Sequence, residues 1–187
     1  PWVGCTKVGP GCDHCYAEGW AKRSGSVQWG PGAERRRTSE ANWRKPLQWN
    51  AQPFVECTAC GWRGEKREAH WGGSQCPKCR GQESLKPARR RVFCASLADV
   101  FDNEVPAKWR ADLFDLIERT PHLDWLLVTK RIGNVRQMIP DRWSVCMPPN
   151  LWLGITVVNQ DEVGRDIPKL IQTPAAVRFL SVEPLLG

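Results

Sequence analysis

Read as apolar and polar positions, the chain divides into two unlike parts. Downstream of Arg91, short apolar runs alternate with stretches of helical period. Val92-Phe93-Cys94-Ala95-Ser96-Leu97, Trp125-Leu126-Leu127-Val128-Thr129, Leu151-Trp152-Leu153-Gly154-Ile155-Thr156-Val157 and Val177-Arg178-Phe179-Leu180-Ser181-Val182 predict buried strands. Between them, Val105, Trp109, Leu113, Leu116 and Ile117 share one face of a predicted helix, with Pro106 in its first turn and Asp102 or Asn103 as its cap. Ile132, Val135, Met138 and Ile139 predict a shorter helix that Pro140 stops. Val163, Ile167, Leu170 and Ile171 predict a third, which Pro168 kinks or divides. The strands recur about every 30 residues, the length of a βα unit. The pattern predicts an α/β fold with a parallel sheet covered by helices.

The upstream part is less regular. Tyr16–Arg23 reads as a short helix with Tyr16 and Trp20 one turn apart on one face. Residues 24–53 are rich in Gly, Pro and Arg and carry Trp29, Trp43 and Trp49 without clear period. They predict an ordered loop region anchored by its tryptophans. No apolar run approaches the roughly 18–20 residues of a membrane-spanning helix. The chain opens on Pro1 and closes behind an apolar run, which reads as trimming at both ends.

Nine cysteines change the picture more than composition does. Four fall as Cys57-x2-Cys60-x15-Cys76-x2-Cys79, two knuckles that together supply the four thiolates of a tetrahedral zinc site. A closed site of this kind is structural, and it predicts a zinc-ribbon module over residues 56–83. Gly61 and Gly81 stand where the knuckles turn. His70 and Trp71 lie between the knuckles, and with four thiolates present His70 reads as a packing or surface residue. A second group, Cys5, Cys12 and Cys15, is spaced Cys-x6-Cys-x2-Cys and is one ligand short of a closed site. It calls for a fourth ligand from elsewhere or for an iron–sulfur cluster with one open iron. Cys94 reads as a core thiol and Cys146 as unligated, and either is the candidate fourth ligand if the three-cysteine group binds zinc. An odd count with metal-type spacing fits a reducing, cytoplasmic setting better than a disulfide framework.

Charge adds a possible partner class. The formal net charge is +7, and Cys57–Arg91 carries nine basic residues against three acidic ones. Arg63, Lys66, Arg67, Arg89, Arg90 and Arg91 there predict either a surface for a polyanion such as nucleic acid or simply a solvated basic face. The apolar runs also end alike. They lead into Ser96 and Asp99, into Thr129, Lys130 and Arg131, into Thr156 and Asn159, and into Ser181 and Glu183. Ligands bind at that edge of a parallel sheet.

The cysteine loop ahead of a helix, followed by βα units, resembles radical S-adenosylmethionine enzymes. Their usual spacing is Cys-x3-Cys-x2-Cys, with an aromatic residue before the last cysteine. Here Cys12-Asp13-His14-Cys15 matches the second half, and the first gap is six. A closer resemblance is to the phage and prophage "gp thirty-seven/sixty-eight" family, a three-Cys-motif, radical-SAM-like domain. It rests on Gly4-Cys5-Thr6, Gly11-Cys12-Asp13-His14-Cys15-Tyr16-Ala17-Glu18 and Trp43-Arg44-Lys45-Pro46-Leu47. It rests equally on Ser96-Leu97-Ala98-Asp99-Val100-Phe101, Leu127-Val128-Thr129-Lys130-Arg131, Asn150-Leu151-Trp152-Leu153-Gly154 and the run from Thr173 to Gly187.

The resemblance implies a partial, incomplete parallel βα barrel over residues 1–55 and 84–187, with the zinc ribbon as an insertion. It implies that a short strand before the cysteine loop and a further strand unit after Gly187 are missing. It implies a [4Fe–4S] cluster on Cys5, Cys12 and Cys15, with S-adenosylmethionine on the open iron, cleaved by one electron to a radical that abstracts a substrate hydrogen. Ser96, Asp99, Thr129, Arg131, Thr156 and Asn159 would surround that cofactor, and Lys130 and Glu183 are the catalytic candidates. The substrate would be a nucleic acid or nucleotide. The competing expectation is a non-enzymatic, nucleic-acid-binding protein with two zinc sites.

Overall fold

The computed structural model describes residues 1–70 and 74–186, so Trp71 and Gly187 lie outside the described residues. In chain order the upstream elements are β1 (Trp2–Val3), α1 (Tyr16–Ser24), β2 (Arg36–Arg37), α2 (Glu40–Ala51), β3 (Phe54–Cys57), β4 (Arg63–Glu65) and β5 (Leu85–Pro87). The downstream elements are β6 (Arg90–Cys94), α3 (Ala107–Glu118), β7 (Leu123–Thr129), α4 (Ile132–Met138), α5 (Asp141–Val145), β8 (Leu151–Thr156), α6 (Gln160–Gln172) and β9 (Val177–Ser181). No helix among them is long and apolar enough to cross a membrane.

The predicted alternation produces a parallel four-stranded sheet in the order β6-β7-β8-β9. Its register aligns Phe93 with Leu126, Leu126 with Trp152, and Trp152 with Val177. One face of the sheet carries Cys94, Trp125, Leu127, Leu151, Leu153 and Ile155 into the main core, where Leu113, Ile117, Val135 and Leu170 from the helices meet them. The four strands form an open sheet and do not close into a barrel. β3, β4 and β5 make a separate antiparallel sheet in the order β4-β3-β5, which carries the four-cysteine segment. That sheet spans more than residues 56–83, because Phe54 and Pro87 take part in its pairing.

Several expectations need correction. Residues 40–51 form a helix where a loop was predicted. Its period was present, with Trp43 and Leu47 one turn apart and packed on the core, but Pro46 disguised it. The carbonyl that Pro46 leaves without its helical partner belongs to Asn42, an exposed residue. Pro168 likewise sits within an unbroken α6. The carbonyl it leaves without a helical partner is that of Gly164, an exposed residue.

α1 buries Ala17 and Ala21, leaving Tyr16 and Trp20 exposed. Ile171 is also exposed rather than on the buried face of its helix. Asp102 does not cap α3, which begins after Pro106. β6 ends at Cys94, since Ala95 turns the chain with φ 61°.

A short strand does precede the cysteine loop. Trp2–Val3 pairs antiparallel with Arg36–Arg37, and the amide of Gly4 donates to the carbonyl of Leu97 at 3.1 Å. This places the incoming chain parallel to the segment leaving β6, through the Gly4–Ala98 bridge.

The end of α3 shows how closely the core is specified. Its last carbonyls have no helical partner, and side chains supply them. Thr120 Oγ1 donates to Leu116 O at 2.7 Å, while Asn150 Nδ2 donates to Ile117 O and Thr120 O at 3.0 Å each. Thr120 Oγ1 also accepts from the buried Trp125 indole at 2.9 Å. Thr120→Val keeps the shape and strands the indole N–H, so urea denaturation should show a loss of about 1–3 kcal/mol. A change within a few tenths would mean that these bonds do not specify the helix end.

Candidate functional site

The cysteine loop lies across the C-terminal edge of the parallel sheet. Cys5 belongs to the incoming segment, Cys12 ends a 3-10 turn over Pro10–Cys12, and Cys15 stands at the N-cap position of α1. The N-terminal end of α1 therefore lies beside Cys15. The loop sits tightly on the chain leaving β8. A Cβ on Gly11 would fall 2.6 Å from Val158 Cγ1, so only glycine allows this approach.

Two arginines whose side chains are largely buried hold the loop in place. Arg131 Nη1 reaches Cys5 Sγ at 3.4 Å and Asp99 Oδ2 at 3.2 Å, and Nη2 donates to the carbonyl of Thr6 at 2.6 Å. Arg35 donates through Nη2 to Thr6 Oγ1 at 2.7 Å and through Nε to Asp102 Oδ2 at 2.9 Å. Asp102 lies 3.7 Å from Arg131 as well, so one carboxylate serves both cations. Burial pushes the Cys5 thiol up to about 11, against the pull of the Arg131 guanidinium.

Asp99 and Arg131 were expected at the cofactor, yet their polar atoms face inward. Asp99 accepts from Thr129 Oγ1 at 2.8 Å, Phe101 N at 2.9 Å and Lys130 N at 3.1 Å, besides Arg131. Thr129 Oγ1 accepts in turn from Arg131 N at 2.8 Å. These three residues line the cleft but hold its wall together. Asn159 stands apart from the cleft, where its side chain caps α6 by accepting from Glu162 N at 2.9 Å.

The other predicted positions do converge. Cys5, Cys12 and Cys15 line a cleft of about 360 Å³ together with Ser96, Thr156 and Glu183. His14, Tyr16, Cys94 and Lys130 also reach it. Tyr16 Oη donates to the carbonyl of Ser96 at 2.5 Å, bridging the helix to the β6 exit. Lys130 reaches the cleft without an ion-pair or side-chain hydrogen-bond partner among the described residues, and so does Glu183. Cys94 is buried, as expected, and burial pushes its thiol up to about 11.

The second cysteine group is tighter. The sulfurs of Cys57, Cys60, Cys76 and Cys79 all lie within 4.8 Å of one another, a spacing that can hold one metal ion. Among the described residues this is the one group of His, Cys, Asp or Glu side chains so gathered. Gly61 turns the first knuckle with φ 69°, its amide donating to the Cys57 carbonyl at 2.9 Å. Hydrogen bonding with Ser84 lowers the Cys57 thiol to about 6. His70 does not belong to the group.

The basic residues nearby are mostly engaged within the chain. Arg63 pairs with Glu56, Arg67 and Arg90 with Glu65, and Arg89 with Asp124. Arg91 lies 5.0 Å over the Trp152 ring. Of the six named from the sequence, Lys66 alone has no such partner among the described residues.

Arg35 and Thr6 were not singled out in the sequence, because nothing in a Gly-rich stretch marks one arginine of several as buried. Adjacent positions test the arrangement. Arg131→Met leaves two buried carboxylates short of a cation and should cost about 3–5 kcal/mol in urea denaturation. Lys130→Met, which breaks no partner, should stay within about 0.5 kcal/mol. Equal effects would remove the distinction between wall and open cleft.

Comparison with known sequences adds one relation. No curated protein and no solved structure matches the chain. Over residues 1–187 it matches the family described as "Protein of unknown function (DUF5131)", and the chain belongs to that family.

Proposed function

We propose that this chain is an iron–sulfur protein of radical-S-adenosylmethionine type with a separate structural zinc. The carrying observation is that three thiols from one loop converge on a single cleft at the C-terminal edge of a parallel sheet. They are not drawn together to the one-ion spacing of the other four cysteines. That fits the chemistry of a [4Fe–4S] cluster, whose irons take three thiolates and leave one site for a further ligand. It favours this reading over a second zinc site.

When bound, such a group supplies one electron to the ligand on its open iron, here S-adenosylmethionine. The chain's own residues have separable tasks. Cys5, Cys12 and Cys15 hold the cluster as thiolates, Cys5 giving up the proton that burial otherwise favours. Arg131 and Arg35 fix the loop. Lys130, an ammonium without a partner among the described residues, suits the carboxylate of S-adenosylmethionine, and Ser96 and Thr156 offer hydroxyls within the same cleft. Glu183, also in the cleft lining, would accept a proton from a substrate group. The partial barrel, the zinc-ribbon insertion, the cytoplasmic location and the phage or prophage setting belong to the same reading.

Anaerobic purification with iron, sulfide and zinc analysis tests it. The expected result is about four irons and one zinc per chain with absorbance near ~400 nm. Cys12→Ala should lose the iron and keep the zinc, and Cys76→Ser should lose the zinc. About two zincs, no iron and no such absorbance would replace this reading with the two-zinc binding protein.

A further inference from the structure

The helices account for one face of the parallel sheet. The opposite face presents Phe93, Leu126, Val128, Trp152, Val177 and Phe179, none of which belongs to the buried core. The register sets Phe93, Leu126, Trp152 and Val177 in one row across all four strands. Phe93 is 56% exposed. Phe179 lies across the neighbouring strand, where a Cβ on Gly154 would meet its ring at 2.5 Å. The missing side chain at Gly154 is what lets the ring lie over the strand.

This aromatic floor is continuous with the cleft, since Phe93, Val128 and Thr156 line both. Its charged neighbours are mainly cations. Arg91 stacks over Trp152 at 5.0 Å, and Lys130 opens into the cleft at the other end. The carboxylate within the face, Asp124, is neutralised by Arg89 at 3.6 Å. Glu183, an exposed residue, lines the cleft as well.

We infer that this face is a stacking platform for single-stranded nucleic acid, with bases on Phe93 and Trp152 and a phosphate near Arg91. Every base has a π-face, so aromatic side chains bind single strands with little regard to sequence, and nearby cations follow the backbone. A strand lying here would deliver one base toward the three-cysteine cleft. The inference rests on the proposed function and deepens it by naming its substrate class; of the basic segment read from the sequence it uses Arg91, which lies over Trp152.

The test is fluorescence anisotropy of the whole chain with a labelled, mixed-sequence DNA strand of about 12 nucleotides, alone and as a duplex. Iron is assayed on the same sample. The single strand should bind with a salt-dependent affinity and the duplex more weakly, because its bases are not free to stack. Stacking is worth roughly 1–3 kcal/mol per base, so Trp152→Ala and Phe93→Ala should each weaken binding about tenfold. Phe93 is exposed, so its variant should fold even if Trp152→Ala does not. Arg91→Met should lower the slope of log affinity against log salt by about one.

Unchanged binding by the two aromatic variants, equal binding of duplex, or no binding at low salt would overturn the inference. So would a dimer that Trp152→Asp converts to monomer in the absence of oligonucleotide binding, because the face would then be a self-interface. No oligonucleotide binding by iron-loaded protein removes the platform alone. Aromatic-dependent binding by protein without iron removes the cluster reading alone.

Discussion

The buried pairing of Arg35 and Arg131 with Asp102 and Asp99 is the constraint on which the site depends. Each arginine has one end on the cysteine loop and the other on a carboxylate at the exit of β6. Taken singly, ions in such a place are poor sources of stability, since desolvation offsets much of their attraction. Their value here is geometric. The guanidinium forks grip Thr6 by its hydroxyl and by its carbonyl, so a Gly-rich loop with little apolar surface is held against the sheet edge. The Cys5 sulfur is aimed by the same Arg131 that Asp99 orients.

This division of labour explains why a cleft lined by many polar residues leaves few of them free. Asp99, Thr129 and Arg131 saturate one another, and Asn159 is consumed by the α6 cap. Among the described residues, the three thiols, His14, Lys130, Ser96, Thr156 and Glu183 line the cleft and remain available to a ligand. The four-cysteine module differs in kind. Its thiols close on one another at the turns of a small antiparallel sheet, and its arginines are spent mainly on Glu56, Glu65 and Asp124. Net charge in that segment overstated the free charge on its surface.

Much of this was legible in the sequence, for identifiable reasons. The parallel sheet could be read because strands covered by helices become continuous apolar runs, and both cysteine groups because ligand spacing is local. The α2 helix was missed because Pro46 outweighed the Trp43–Leu47 repeat, a case where core packing overrode propensity. Asp102 looked like a cap because Asp before Pro106 fits that pattern, whereas its partner, Arg35, is far away in sequence. Long-range ion pairs leave no periodic trace. The partly exposed aromatic face was equally hidden, since Phe93 and Trp152 fall within apolar runs that read as core, whereas the helices pack on the other side.

Hydrogen exchange across the cysteine loop in Asp102→Asn tests the buried pairing most directly. This change keeps the shape and removes the charge shared by Arg35 and Arg131. The amides of Cys12 and Asp13, which close the turn by donating to Gly9 and Pro10 at 3.0 and 3.1 Å, should lose protection by at least about tenfold, the effect of about 1.4 kcal/mol of local stability. The β7 and β8 amides should lose much less. Unchanged protection in the loop, or an equal loss throughout the sheet, would contradict the account.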